Sequence, residues 1–399
     1  MVSWKNKIKY MIKSISKNKK LSGKKVLLRL DLNVQVKNGK VVDDYRIKSS
    51  LSTVEYLLKQ NAKVIIVSHL GRARGKYEKD LSLGPVASSL EKNLKKRVKF
   101  ISEHEPKKAI KEIEAMKNKE VLMLENLRFN EGEAKNATKF AKELASLADI
   151  YVNDAFSVSH RSQASVDAIT KYLPSFAGLL LEEELRAMDK ILKPKKPFIA
   201  ILGGSKIETK MPLIEKFLNK ADKILIGGAL ATTIVKGLGY EVGKSYCDKG
   251  YDKMVKKIMT SKKGSEKIVL PIDFAVEGRA GKKRISSPDE VKKSESILDI
   301  GPSTISDYSQ YIKSASTLIW NGPMGKFEEA SFRQGSLSLA RLVAARSKGR
   351  AYGLVGGGET VTVLNMTKME EYVDHVSTAG GAMLAYLSGE KMPGLKKIT

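Results

Sequence analysis

Sulfur chemistry, membrane spans and base-stacking platforms are all poorly provided for in this chain of 399 residues. Its one cysteine, Cys247, cannot form an internal disulfide, which favours a reducing compartment. No metal-ligand spacing surrounds it, and it reads as a small buried hydrophobe. No apolar stretch approaches the length that crosses a bilayer. The longest, Ile224 to Val235, carries two glycines and two threonines and reads as a strand running into a helix. Trp4 to Lys20 interleaves apolar residues with lysines and has no secretory h-region, so a solvated helix or extension is expected there, with a basic amphipathic targeting helix as the other reading. Aromatic residues make up 7% of the chain. Arginine is scarce: 14 of the 72 basic residues, leaving 72 − 14 = 58 lysines.

These shortages govern how the net charge of +28 is read. A nucleic-acid binder concentrates arginines and stacking aromatics in a stripe. Lysines spread over the whole length read as solvated helix faces, whose long-range field still raises the local concentration of anionic substrates. Hydrophobic content of 42% and charged content of 29% describe a globular protein, and the length favours two cores.

Strand, turn, helix and strand alternate along the chain, the order of parallel α/β layers. Strands are predicted at Lys25 to Asp31, Lys63 to Ser68 and Asp149 to Val152, and helices at Ser49 to Lys59 and Lys135 to Leu147. A helical pattern from Leu179 to Leu192 ends at two prolines, Pro194 and Pro197, which stop the helix and start a strand. A second α/β set follows from Phe198 to about Val376.

Predicted strands of the first half lead into Asp31 and Asn33, His69 and Arg72, Arg128, and His160 with Arg161. Those of the second half lead into Gly203-Gly204, Gly227-Gly228 and Gly356-Gly357-Gly358. In open parallel sheets ligands bind outside the carboxyl ends of the strands. A lysine suffices for diffuse charge, whereas a planar fork suits bidentate carboxylate or phosphate recognition. Any one of Arg46, Arg72, Arg128 and Arg161 is most simply a surface ion pair; four from separate segments point to a small ligand bearing both phosphate and carboxylate. Asp31 and Asn33 could accept from a substrate hydroxyl, though both also suit an ordinary turn.

In the second half, Gly203-Gly204-Ser205-Lys206 precedes a helix expected from about Thr209. Glycines let backbone N–H groups approach an anion, and the helix N-terminus adds partial positive charge. Lys206 would be a point charge for a moving phosphoryl group. Gly356-Gly357-Gly358-Glu359-Thr360 repeats the design with a carboxylate suited to Mg²⁺. Gly239 to Ser245 imitates a P-loop with three residues between its glycines where four are required, and is rejected as a phosphate loop.

Together these segments resemble phosphoglycerate kinase from about Met11 onward. The strings carrying the resemblance are Arg29-Leu-Asp-Leu-Asn-Val34, Ser68-His-Leu-Gly-Arg72, Leu124-Glu-Asn-Leu-Arg-Phe129, Asn153-Asp-Ala-Phe156 with His160-Arg161, Gly203-Gly-Ser-Lys206, Trp320-Asn-Gly-Pro-Met-Gly325 with Phe327-Glu328, Gly356-Gly-Gly358, and Val376-Ser-Thr-Ala-Gly-Gly-Ala382. The resemblance implies two Rossmann-like three-layer α/β/α domains with mainly parallel sheets, joined by a hinge helix. Residues 1–178 would bind 3-phosphoglycerate or 1,3-bisphosphoglycerate, 179–193 form the hinge helix, 194–377 bind the nucleotide, and 378–399 return to the first domain. It implies Mg-dependent phosphoryl transfer between 1,3-bisphosphoglycerate and ADP, in a cytoplasmic monomer without nucleic-acid or membrane partners.

By position, Asp31, Asn33, Arg46, His69, Arg72, Arg128 and Arg161 match the family's substrate site. Gly204, Ser205, Lys206, Lys210, Gly228, Asn321, Glu328, Gly356, Gly357, Gly358, Glu359 and Thr360 match its nucleotide site, with Glu359 at the metal position. Arg46, Lys206, Gly357 and Gly380 match its catalytic positions. The chain departs from the family at Glu359 (usually aspartate), Ser157-Val158-Ser159, Gly227-Gly228-Ala229, Thr209-Lys210 and Thr378-Ala379-Gly380. Two other readings stand beside this one: a nucleic-acid-binding protein that kept the fold but lost catalysis, and a kinase for a different small carboxylate.

Overall fold

The computed structural model describes residues 12–18 and 20–399. The chain forms two compact units, one up to Arg186 together with Glu390–Thr399, the other Ala187–Gly389.

A six-stranded parallel sheet centres the first unit. Its order is Val98–Ile101, Val121–Leu124, Lys63–Val67, Lys25–Leu30, Ile150–Asp154, Ser175–Ala177. Helices cover both faces, so the central strands read as near-continuous apolar runs. Period-two alternation sorts them: Val26, Leu28, Leu30, Val64, Ile66 and Met123 enter one core. Leu27, Ile65, Val67, Leu122, Leu124 and Tyr151 enter the other. Each such buried side chain contributes roughly 1.5–3 kcal/mol relative to exposure. Arg29 falls on the second of these faces, paired in register with Val67 and Asn153.

The second unit repeats the plan with a parallel sheet ordered Ile268–Val269, Lys223–Ile226, Phe198–Leu202, Thr317–Asn321, Tyr352–Gly356, His375–Ser377. Ile199, Ile201, Leu225, Leu318, Trp320 and Val355 share one core. An antiparallel sheet, Lys283–Ser286, Phe274–Glu277 and Ser296–Ile300, is added beside it.

Several predicted boundaries move. The helix expected at 49–59 begins at Tyr45, and the one expected near Thr209 begins at Ile207. The strand expected at 149–152 runs from Ile150 to Asp154. The amphipathic helix expected over 135–147 is two pieces, Glu131–Ala134 and Thr138–Ala145, because Asn136 has φ of 52° and Ala137 is extended. Leu179–Leu192 is helical as its pattern and prolines required. The helix Gly381–Ser388 packs against Ile207–Leu218 within the second unit, so only Glu390–Thr399, not everything after 378, joins the first. There the Asn153 side-chain amide donates to the carbonyl of Gly394, and Lys13 N–H donates to that of Ile398.

Cys247 is half-buried and receives a hydrogen bond from Lys236 Nζ at 3.4 Å, which corrects the reading of it as a core hydrophobe. Gly239 to Ser245 follows a helix and meets Ser296 in an isolated bridge, without the strand-to-helix turn of a phosphate loop. Of the segment 4–20, residues 4–11 and 19 lie outside the described residues; Ile15–Lys17 is a short 3-10 turn with Ile15 buried. Among the described residues, no helix is long and apolar enough to cross a membrane.

Candidate functional site

At the carboxyl end of the first sheet the predicted anion ligands converge. Asp31 follows the strand Lys25–Leu30 and pairs with Arg46, which the first turn of the helix Tyr45–Lys59 presents. Ser157 donates to the same Asp31 carboxylate. Asn33 accepts from Gly71 N–H at 2.9 Å, and Arg128 donates to the Gly71 carbonyl at 2.5 Å, tying three loops together. His69 is buried, and burial, then Arg29, Arg128, Arg46 and Arg161, hold its imidazole well below the usual value. Arg128 is lowered to about 10 by burial and by the neighbouring guanidinium groups of Arg29, Arg161 and Arg72, against the opposing pull of Glu133. Cations that depress one another's pKa share one low-dielectric region. Among the described residues, Arg72, Arg128 and Arg161 have no carboxylate within ion-pair distance. Such a cluster is an incomplete electrostatic arrangement that an anion completes.

The second unit contributes a cavity of about 240 Å³. Gly204, Ser205, Gly228, Glu328 and Glu359 line it, with Tyr246, Phe274, Ile297 and Phe327 supplying apolar wall. Asn321 Nδ2 donates to the Gly356 carbonyl at 2.6 Å, Lys210 Nζ to the Asn321 carbonyl at 3.4 Å, and Gly322 N–H to Thr360 Oγ1 at 2.7 Å. Hence Asn321, Gly356, Thr360 and Lys210 form one cluster, and the cavity-lining Glu359 lies near enough to Lys210 to act on its charge. Burial lowers Lys210 to about 8, and Glu359 opposes the shift. Lys206 is the exposed N-cap of the helix Ile207–Leu218. Gly380, at φ 55°, precedes the helix Gly381–Ser388, with open space where a side chain would begin.

The glycines act differently from the expectation. The N–H groups of Gly203, Gly204 and Gly228 donate to the carbonyls of Asn321, Pro323 and Met324 at 3.0, 2.9 and 2.8 Å. They are spent on joining strand ends. At Gly228, with φ of 60°, a Cβ would lie 2.7 Å from the Gly204 nitrogen; at Gly357, with φ of 101°, it would lie 2.8 Å from Asn321 Nδ2. Both positions therefore exclude a side chain. The amides left for an anion are those of the first turn of Gly358–Met366, which lack intrahelical acceptors. The other helix start is partly claimed already: Asp248 Oδ2 accepts from Ile207 N–H at 2.8 Å.

Sequence reasoning gave no site role to Arg29, Ser157, Glu133 and Ser165 in the first unit, or to Tyr246, Asp248 and Asp299 in the second. Arg29 did carry a signal, since an arginine inside an otherwise apolar parallel strand needs buried partners. The others come together only through tertiary contacts.

The fold and both sites define a two-unit α/β protein, with clustered guanidinium groups at the strand ends of one sheet and a glycine-bordered cavity in the other unit. The phosphoglycerate kinase family model matches residues 16–390. The phosphoglycerate kinase of Dictyoglomus turgidum is 42% identical over 380 residues, covering 94% of this chain and 95% of that protein. That of Coxiella burnetii is 40% identical over 391 residues, covering 96% and 97%. The solved Coxiella burnetii phosphoglycerate kinase superimposes with a TM-score of 0.84 at 39% identity, covering 96% of this chain and 98% of that one. The Pyrococcus horikoshii enzyme gives 0.84 at 30% identity, with the same coverage of both chains. This chain belongs to the phosphoglycerate kinase family.

Proposed function

We infer that the chain is a phosphotransferase with a carboxyl group as acceptor, moving a phosphoryl group reversibly between 1,3-bisphosphoglycerate and ADP. The observation that carries the reading is the presence of guanidinium groups without ion-pair partners in one unit and of a cavity bordered by glycine turns and Glu359 in the other. Arg72, Arg128 and Arg161 would hold the phosphate of 3-phosphoglycerate, and Asp31 and Asn33 its hydroxyl. In the ATP-consuming direction a substrate carboxylate oxygen attacks the γ-phosphorus, and the bond to the β–γ bridging oxygen of ATP breaks. No proton moves, because a carboxylate is already ionised at neutral pH. Arg46 and Lys206 would balance the transferring charge, Lys210 the nucleotide phosphates, and the amides of Gly358–Thr360 the remaining oxygens. Glu328, at the cavity rim, would take the ribose hydroxyls.

Among the described residues no group of three or more His, Cys, Asp or Glu side chains gathers to cage a metal. Of the three carboxylates that line the cavity, Asp299, Glu328 and Glu359, the last stands in the first turn of the helix Gly358–Met366, beside the proposed phosphate-binding amides. That suits Mg²⁺, which binds through one or two carboxylates plus substrate phosphates. When bound, the ion would neutralise phosphate charge. The segment through which the unit division runs, Leu179–Leu192, is the candidate hinge, and a monomer in the cytoplasm fits the reading. The nucleic-acid reading draws no support from the site, because the arginines converge on a small cluster. Coupled steady-state phosphotransfer with 3-phosphoglycerate and ATP, run side by side with Mg²⁺ and Mn²⁺, tests both the reaction and Glu359. Turnover is expected with either ion; absence of turnover with both would end the proposal.

A further inference from the structure

We propose that Arg29 is a positioning residue that fixes the ring tautomer of His69, leaving the ring proton on Nε2. Arg29 Nη2 lies 3.2 Å from His69 Nδ1. A guanidinium carries five N–H donors and no acceptor, so Nδ1 must accept and the proton sits on the other nitrogen.

The guanidinium cannot turn away easily. Its Nε donates to Ser165 Oγ at 2.9 Å and its Nη1 to the Leu30 carbonyl at 2.5 Å. Ser165 in turn donates to both oxygens of Glu133, from Oγ at 2.6 Å and from its backbone N–H at 2.9 Å. Tyr151 hydroxyl donates to the Ser165 carbonyl at 2.7 Å. Arg29, Ser165, Glu133 and Tyr151 are all fully buried. Burial lowers the Arg29 pKa, and the charge of Glu133, reached through Ser165, opposes that loss. A buried charge with a fixed counter-charge and satisfied donors is rigid, and rigidity is what a tautomer-setting group needs.

The charged groups that act most strongly on His69 are Arg29, Arg128, Arg46 and Arg161, all cations. A second proton on the ring is therefore disfavoured, and an Nε2 lone pair would repel phosphate oxygens. An Nε2–H donor instead complements an oxygen-rich anion without adding to the local positive charge. This role, though not the tautomer itself, rests on the proposed substrate site.

The test is ¹⁵N NMR of histidine-labelled protein, with the His69 signals assigned by their loss in His69→Gln. Nδ1 should resonate as an unprotonated nitrogen and Nε2 as a protonated one, unchanged from about pH 6 to about pH 8. A protonated Nδ1, or conversion to imidazolium in that range, overturns the proposal. In Arg29→Met the ring should shift toward the Nδ1–H form, with KM for 3-phosphoglycerate up about tenfold and kcat down less than about threefold. An unchanged tautomer in the folded variant would also overturn it. Should Arg29→Met fail to fold, the wild-type spectrum decides alone. The stated tautomer in a protein that does not turn over 3-phosphoglycerate would remove the proposed function and leave this inference standing.

Discussion

At the ends of its strands the first unit gathers guanidinium groups from separate segments, whereas the second gathers glycines and the start of a helix. Numbering each parallel sheet's strands along the chain, the first has the order 3-4-2-1-5-6 and the second 3-2-1-4-5-6, the latter being the order of dinucleotide-binding folds. In both, the order reverses direction beside the first strand, and the site residues follow that strand: Asp31 and Asn33 in one, Gly203 and Gly204 in the other. Identical placement is thus combined with opposite chemistry. Forked cations suit a small ligand that must be recognised at both ends, while backbone amides suit phosphates common to every nucleotide. The contrast also explains the role of burial. Arg29 and Glu133 are buried beneath the first site, whereas Gly203, Gly204 and Gly228 of the second, lacking side chains, let three strand ends come within hydrogen-bonding distance.

The comparison can be broken most directly at Lys206. As the second unit's exposed point charge, its replacement in Lys206→Ala should lower kcat by about 10²–10³-fold while the MgADP dissociation constant changes less than about fivefold. Equal losses in both, measured by steady-state kinetics and calorimetry, would assign it to ground-state binding instead. In the first unit, Arg46→Lys keeps the charge but removes the fork, and kcat/KM for 3-phosphoglycerate should fall roughly 10–100-fold. Near-normal kinetics would show that charge alone suffices there and erase the distinction between the units.

A smaller effect is expected at Lys210. With a pKa lowered to about 8, it is charged at neutral pH and loses its proton as pH rises through that value. Affinity for MgADP should weaken by up to about tenfold between pH 7 and 9. Lys210→Arg should flatten the profile, and an unchanged slope in that variant would assign the titration elsewhere.

The last test compares two buried carboxyls, one per unit. Asp154 and Asp299 are each pushed up to about 7, chiefly by burial. Each binds its proton more tightly in the native protein than in the unfolded chain. Its contribution to stability is therefore complete below the ordinary carboxyl range near 4 and is lost as pH rises through about 7. The loss is on the order of 2–4 kcal/mol per group. Asp154 Oδ1 accepts from Leu181 N–H at 2.9 Å, and among the described residues its Oδ2 has no hydrogen-bond partner. Both Asp299 oxygens accept backbone N–H groups, from Ile300 at 2.9 Å and Gly335 at 2.8 Å. Asp154→Asn should remove part of the pH dependence of the urea midpoint at little cost, whereas Asp299→Asn should destabilise at every pH because an amide nitrogen cannot accept. Equal behaviour of the two variants would contradict this account.

Much of the architecture was legible in the sequence because it is local. Apolar runs bounded by turn residues gave the strands, and Pro194 and Pro197 gave the end of Leu179–Leu192. The break at Asn136 was not legible, since a hydrophobic period continues across a single residue that turns left-handed. Scarce arginines at strand ends were readable as a set, and the motif strings placed the cavity residues in the right family. Which glycine N–H groups remain for an anion was not readable, because Gly204 and Gly228 donate to carbonyls more than a hundred and about a hundred residues away along the chain. Nor was Asp248 at the helix start, which arrives from 41 residues downstream of Ile207.

The sequence by itself determined two parallel α/β cores, the family, and which residue types stand at the ends of which strands, because pattern and propensity act over a few neighbours. Only the tertiary structure decided that Arg29 faces His69, that Glu133 reaches it through Ser165, and that the cavity glycines are structural. Those relations depend on sheet register and on which loops meet at a strand end, and neither is encoded within any one segment.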